Sequence, residues 1–136
     1  MPDDLADEVW RLMASVVINN QDTWKRAVVD RTGLPFSRIR ILSRLAREPL
    51  SVKQIAAAAT IDAPAATVAV NDLEERGLVV RQIDPGNRRS KTVSLTPAGR
   101  ELLAIIDTVE NPAPAPLRRL SAADLAALQA LLRKLG

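Results

Sequence analysis

The 136-residue sequence contains no cysteine and no histidine, and only five glycines. Without cysteine there is no disulfide, thiol sensor or thiolate metal site. Without histidine the imidazole ligands are missing too, together with the base of nearly every nucleophilic triad. The glycines fall mainly at turns and caps, with no loop that would cradle a phosphate, and the carboxylates form no paired grouping on a common face. No apolar run approaches the roughly 20 residues of a membrane helix, and the acidic start Met1 to Glu8 lacks the basic head and apolar centre of a signal peptide. These absences point away from an enzyme, a cofactor, a bound metal and a membrane, and toward a protein working in the cytoplasm.

With 47% apolar and 26% charged residues the chain has the make-up of one globular domain. Nineteen basic against sixteen acidic side chains leave only +3, so distribution carries more information than the sum. Acid gathers at Asp3, Asp4, Asp7 and Glu8. Between Arg76 and Arg100 lie Arg76, Arg81, Arg88, Arg89, Lys91 and Arg100 against a lone Asp84, and Arg38, Arg40, Arg44 and Arg47 form a second acid-free group. Basic runs are common on solvated faces, so their meaning depends on the elements that carry them.

Leu5, Val9, Leu12, Met13 and Val16 recur at helical spacing, and Trp24, Ala27 and Val28 continue on a similar phase. One long helix is expected, capped near Asp3 or Asp4 and ended by Gly33, a rod of roughly 40 Å at ~1.5 Å per residue. Pro35 then opens a short helix with Ile39, Leu42, Leu45 and Ala46 inward, closed at Glu48-Pro49. Ser51-Val-Lys-Gln54 is a capping box that starts the next helix through Ile55, Ala56 and Ala59. After a break at Thr60-Ile61-Asp62, a further helix from about Ala63 carries Ala66, Ala69, Val70 and Leu73 inward and ends at Arg76-Gly77. Two short helices joined by a tight turn make a helix-turn-helix, although alanine-rich pairs also occur in any bundle.

The next segment adds more. Leu78 to Ile83 and Lys91 to Leu95 are rich in β-branched residues and flank Asp84-Pro-Gly-Asn-Arg-Arg-Ser90, a hairpin with a basic tip. A two-stranded hairpin is marginal alone and must rest on the preceding helices, and that order is a winged helix. Thr96 then caps a helix with Pro97 at its first position. Asn111-Pro-Ala-Pro-Ala-Pro116 must break or kink it, and Ser121 starts a last helix bearing Leu125, Leu128, Leu131, Leu132 and Leu135. The fold class expected is mainly α with a small β-hairpin wing: a winged helix-turn-helix at 35–96, with terminal helices at 1–34 and 97–136, all in one domain. The terminal helices present apolar stripes with no covering layer, which a twofold partner would supply.

Leu73-Glu-Glu-Arg-Gly-Leu-Val79, Asp84-Pro-Gly-Asn-Arg-Arg89 and Leu95-Thr-Pro-Ala-Gly99 occur in this order and spacing. Through them the sequence resembles the MarR family of bacterial transcription regulators, over nearly the whole chain. The resemblance implies a homodimer built by the first and last helices, here through Leu5, Val9, Leu12, Leu125, Leu128, Leu132 and Leu135. It also implies that the second helix of the motif enters the major groove of a pseudo-palindromic double-stranded operator, and that the wing, with Arg89 at its tip, reaches the minor groove. It further implies a small aromatic or phenolic acid effector whose binding releases a repressor from DNA, with Met13, Trp24, Phe36 and Arg40 as pocket residues. Two departures stand out: Asn87 occupies a position where the family commonly has an acid, and Val68 one where it often has a base.

The exposed face of the recognition helix is then Pro64, Ala65, Thr67, Val68, Asn71 and Asp72, with no arginine to read guanine by two bonds. Thr67 and Asn71 remain as hydrogen-bonding groups and Pro64, Ala65 and Val68 as contacts for thymine methyls. The site expected leans toward A/T, with much of the affinity from phosphate contacts and groove shape. Arg88, Arg89 and Lys91 on the wing, Lys53 at the start of the first motif helix and Arg38 before it are the basic contacts to DNA. The alternative reading is a winged-helix protein-interaction module in which Ala65 and Val68 meet a protein, which would account for the missing arginines.

Overall fold

The computed structural model describes residues 2–136, with side chains from residue 4 onward. It resolves into two compact units, one of residues 24–109 and one of residues 2–23 with 110–136. The sequence had suggested a division at 34 and 97, so the ends of the winged unit extend further in both directions than the motifs alone indicate.

The chain opens with α1 (Pro2–Asn20) and α2 (Asp22–Thr32). The single rod expected from Asp3 or Asp4 to Gly33 is therefore corrected to two helices interrupted at Gln21. The cause is local. The side-chain amide of Asn20 donates to the Val16 carbonyl at 2.7 Å, and that of Asn19 donates to the Ser15 hydroxyl at 3.2 Å. Such side chains compete with the backbone ladder and end helices, and Asp22 restarts the ladder as an acidic first-turn residue. The expected caps fare differently: the Asp3 side chain lies outside the described ones, and Asp4 sits within α1.

The winged unit is built around α3 (Phe36–Leu45), α4 (Val52–Ala59) and α5 (Ala63–Glu75). The Ser51 hydroxyl accepts from the Gln54 amide at 3.1 Å while the Gln54 side chain accepts from the Ser51 amide at 2.8 Å, so the capping box forms as read. Between α4 and α5, Thr60 takes a left-handed conformation (φ 56), the place usually given to glycine in this helix ending. The Thr60 and Ile61 amides close it by donating to Ala57 and Ala56. The core is formed by Val28, Leu34, Ile39, Ile41, Leu42, Leu45, Ile55, Ala56, Ala66, Ala69, Val70, Leu73, Val79, Val93, Leu95 and Ile106. Ile41 is buried where the stripe had pointed to Ala46, which is exposed, and Ala59 is exposed as well. Burial of each large aliphatic side chain contributes about 1.5–3 kcal/mol, so the unit closes around its own centre.

Strands β1 (Val79–Asp84) and β2 (Asn87–Leu95) pair antiparallel from Val79 opposite Leu95 to Ile83 opposite Lys91. The register then jumps, so that Asp84 faces Asn87 across a connection of only Pro85 and Gly86. The loop expected over 84–90 is thus mostly strand, with Arg88, Arg89 and Ser90 on the bulged arm. Leu50 adds a bridge on the far side of β2, exchanging backbone bonds with Val93 at 3.1 and 2.7 Å. Helix α6 (Pro97–Asp107) follows, capped by Thr96, whose hydroxyl accepts from the Gly99 amide at 3.1 Å and donates to the Gly77 carbonyl at 2.6 Å.

In the terminal unit, the proline segment leaves residues 110–114 without regular structure, then forms the single turn α7 (Ala115–Arg118) before α8 (Ala122–Arg133). Ser121 caps α8, its hydroxyl accepting from the Asp124 amide at 3.1 Å. None of this unit's described side chains is buried.

Candidate nucleic-acid interface

Helix α5 owes its start to Asp62, whose carboxylate accepts from the Ala65 amide at 2.7 Å, and to Pro64 in the first turn. With Ala66, Ala69, Val70 and Leu73 buried, helical geometry turns Pro64, Ala65, Thr67, Val68 and Asn71 outward, and all five are exposed. Val68 is 61% exposed, an apolar group with no structural duty. The Thr67 hydroxyl donates to the Ala63 carbonyl at 3.0 Å, which leaves its oxygen free only to accept. Asn71 accepts at Oδ1 from the Arg81 guanidinium at 2.7 Å, and Arg81 also donates to Glu74 at 2.8 Å. Strand β1 and helix α5 are thereby tied together, a link that nothing in the sequence spacing indicates.

Arg38 has a comparable engagement. Its Nε donates to Asp72 at 3.1 Å, and Asp72 also receives Arg76 at 3.1 Å, so one carboxylate joins α3 to α5. The Arg76 guanidinium first, and Arg38 second, hold the Asp72 carboxyl below the usual carboxylate range. A carboxyl held lower in the folded than in the unfolded chain stabilises the fold above its unfolded pKa of about 3.9. That contribution is lost as pH falls through the folded value. Melting temperatures of the wild type and Asp72→Asn should therefore differ at neutral pH and converge below about pH 4. The gap is expected to be modest because the pair is solvent-screened; a gap that does not narrow at all on acidification below about pH 4 would rule the ion pair out as its source.

The wing tip is shaped by two side-chain turns. Asp84 accepts from the Gly86 amide at 2.9 Å, and Asn87 accepts from the Arg89 backbone amide at 3.1 Å while donating to the Ser90 hydroxyl at 3.2 Å. Asn87 thus orders the main chain beneath Arg89 rather than its guanidinium. The side chains of Arg88, Arg89 and Lys91 are exposed and make no hydrogen bond or ion pair with the described residues. Lys53 is exposed in the first turn of α4 beside the capping Gln54.

The four residues considered for a small ligand are distributed between two places. Trp24 and Phe36 pack edge to face with centroids 5.6 Å apart, and the Lys25 ammonium lies 4.9 Å from the Phe36 ring centre. Phe36 and Arg40 line a cleft of about 490 Å³ with Arg38, Arg44, Ile61 and Ala65. Met13 belongs instead to the terminal unit, where it lines an apolar hollow with Leu5, Val9, Trp10 and Leu135. Trp10, 68% exposed, is a prominent member of that surface that the heptad-like stripe of leucines and valines had not singled out. Among the described residues no group of three or more acidic side chains could hold a metal ion, and no helix is long and apolar enough to cross a membrane.

A family model described as the MarR family matches residues 32–90, which span α3, α4, α5 and the wing as far as Ser90. A Thauera aromatica protein described as a putative transcriptional regulatory protein for the hcr operon is 33% identical over 112 residues, covering 81% of this chain and 68% of that protein. The chain belongs to the MarR family. MarR itself from E. coli, in its apo form, shares the fold with a TM-score of 0.71 at 20% identity, over 92% of this chain and 94% of that one. A point mutant of MepR from S. aureus, solved bound to an oligodeoxyribonucleotide, superposes with a TM-score of 0.59 at 20% identity, over 96% and 94%. The protein is accordingly a DNA-binding transcriptional regulator of the MarR family, which is non-enzymatic, with the two-stranded wing and helical architecture of that family.

Proposed function

We propose that this MarR-family regulator is a homodimeric, sequence-specific repressor that binds a pseudo-palindromic operator through α5 in the major groove and the wing in the minor groove. The observation that carries the reading is the pair Arg88 and Arg89, exposed on a hairpin arm ordered beneath them and without any acceptor among the described residues. Guanidinium groups so placed suit phosphates and narrow minor grooves. Helix α5 has no basic residue on its outer face, so base discrimination falls to Asn71, Thr67 and the apolar Pro64, Ala65 and Val68, in keeping with an A/T-leaning site.

Self-association is supported by the terminal unit. Leu5, Leu12 and Leu135 are 62%, 60% and 74% exposed, and Val9, Leu125 and Leu132 are exposed beside them, with Leu128 half-buried. Leu5, Val9 and Leu135 share one apolar hollow; exposed apolar surface of this kind marks an interaction face, and a second copy related by a twofold axis covers it with the same residues. The cleft beside Phe36 suits a small aromatic or phenolic acid, its ring against Phe36 and its carboxylate on Arg40 and Arg44. Binding there would release DNA and make the repressor responsive within the cytoplasm.

Selection from a random duplex pool at physiological salt tests the reading. Pseudo-palindromic sites with half-sites about one helical turn apart are expected, bound by a species that sediments as a dimer and is released by aromatic acids that raise its melting temperature. Recovery of no preferred duplex, or a monomer at the concentrations that bind, overturns the reading.

A further inference from the structure

We propose that Arg81 is a positioning residue that fixes the Asn71 amide with its N–H groups free to donate, biasing it toward bases carrying a keto oxygen in the major groove, guanine or thymine. The proposal rests on the placement of α5 in that groove argued above. A guanidinium has donors and no acceptor, so the Asn71 atom facing Arg81 Nη2 at 2.7 Å is necessarily the carbonyl oxygen. Turning the amide over would set N–H against N–H. Arg81 cannot easily swing away, because Nη1 donates to Glu74 Oε1 at 2.8 Å and its backbone amide donates to Glu74 Oε2 at 3.3 Å. Its side chain is only 22% exposed. Asn71 and Glu74 stand three residues apart on α5, so both grips lie on neighbouring positions of one helix surface.

With Oδ1 engaged, Asn71 presents its two N–H groups, and no acceptor among the described residues takes them. The usual two-bond recognition of adenine by asparagine needs Oδ1 to accept from the base amino group while Nδ2 donates to N7. Here Arg81 takes one of the two lone pairs of Oδ1 and fixes its direction, so the first half is weakened while the second remains. Guanine O6 and N7 and thymine O4 accept from such an amide, whereas adenine offers it N7 alone. The amino groups of adenine and cytosine meet it donor to donor. The neighbouring positive charge also polarises the amide and strengthens its N–H groups as donors.

Selection from a random duplex pool, repeated with variants, tests this. Wild type should enrich guanine or thymine over adenine and cytosine at one position per half-site, and Asn71→Ala should weaken that preference about 5- to 10-fold there and nowhere else. Asn71→Asp, which can only accept, should invert it toward cytosine and adenine. Arg81→Met should admit adenine at that position with affinity for random duplex within about twofold of wild type, since non-specific binding rests on phosphate contacts. Arg81→Lys, again a pure donor, should restore the keto preference, and in an Asn71→Ala background Arg81→Met should change nothing further at that position. Enrichment of adenine or cytosine by the wild type at the Asn71-sensitive position overturns the proposal, as does an Asn71→Ala pool identical to wild type. If Arg81→Met fails to fold, the wild type's own choice between keto bases and adenine at the Asn71-sensitive position still decides. A wild type that selects no duplex defeats the operator reading itself, which is distinguishable from a wild type that selects sites indifferent to Asn71.

Discussion

Replacing Arg88 and Arg89 together by alanine is expected to lower affinity for the operator at least about 100-fold at 50 mM salt while leaving the melting temperature almost unchanged. Hydrogen bonds to charged groups contribute ~1.5–3 kcal/mol each, and a dimer loses four guanidinium groups, so even half of the combined effect exceeds 100-fold. Neither side chain holds any part of the fold, and surface changes of that kind usually stay within about 0.5 kcal/mol. The salt dependence gives an independent reading. A dimer neutralising roughly 6 to 10 phosphates should lose about a thousandfold or more in affinity between 50 and 200 mM salt, and the double variant should show a visibly flatter slope. Filter binding or anisotropy at several salt concentrations measures both quantities. Wild-type affinity and slope in the double variant would show that the wing arms are bystanders and that the protein reads DNA by some other surface.

What could be read without the fold was the locally determined part. The capping box at Ser51 and Gln54, the Thr96-Pro97 start of α6 and the Ser121 cap each depend on residues three apart, and all three form. The buried face of α5 follows from its period alone, and the prolines around 112–116 interrupt the helix as their missing donors require. What could not be read was engagement across the fold. Arg38 and Asp72 are 34 residues apart, and Arg81 and Asn71 are 10. Charge runs show that a basic residue is present but not that a carboxylate or an amide already occupies it. Arg38 and Asn71 were both candidates for DNA contact on residue type, and both hold intramolecular partners, whereas Arg88, Arg89 and Lys91 remain open. The interruption at Gln21 was missed because the apolar phase continues across it, while the amides of Asn19 and Asn20 act on the backbone and leave no trace in that phase. The bulge in β2 was missed for a similar reason: residue types favour a turn over 84–90, but two side-chain turns compress the connection to Pro85 and Gly86.

Gly99→Ala should destabilise the winged unit by about 1–3 kcal/mol, the usual cost of forcing an extra carbon into a packed site. The sequence motif around it, Leu95-Thr-Pro-Ala-Gly99, is a clasp at the base of the wing. The Thr96 amide donates to the Leu78 carbonyl at 3.1 Å, its hydroxyl donates to the Gly77 carbonyl at 2.6 Å, and the same hydroxyl receives the Gly99 amide. The first turn of α6 is thereby drawn onto the chain that leaves α5. A Cβ on Gly99 would overlap the Leu78 carbonyl oxygen and sit 3.1 Å from the Leu95 side chain. The obstruction is backbone, not the far end of a flexible side chain, so it cannot be relieved by a rotamer change. The clasp has to open, which also loosens Val79 and Leu95, the paired ends of the two strands. Gly77, in contrast, has open space around its Cα but a left-handed φ of 76, so alanine there costs roughly 1 kcal/mol through the backbone and not through packing. Thermal melts should place Gly99→Ala about 4 °C lower for each kcal/mol lost, and hydrogen exchange should show the added opening concentrated at the wing base in Gly99→Ala but not in Gly77→Ala. If both variants melt alike with uniform exchange, the close approach of α6 to Leu78 is not what holds the wing in place.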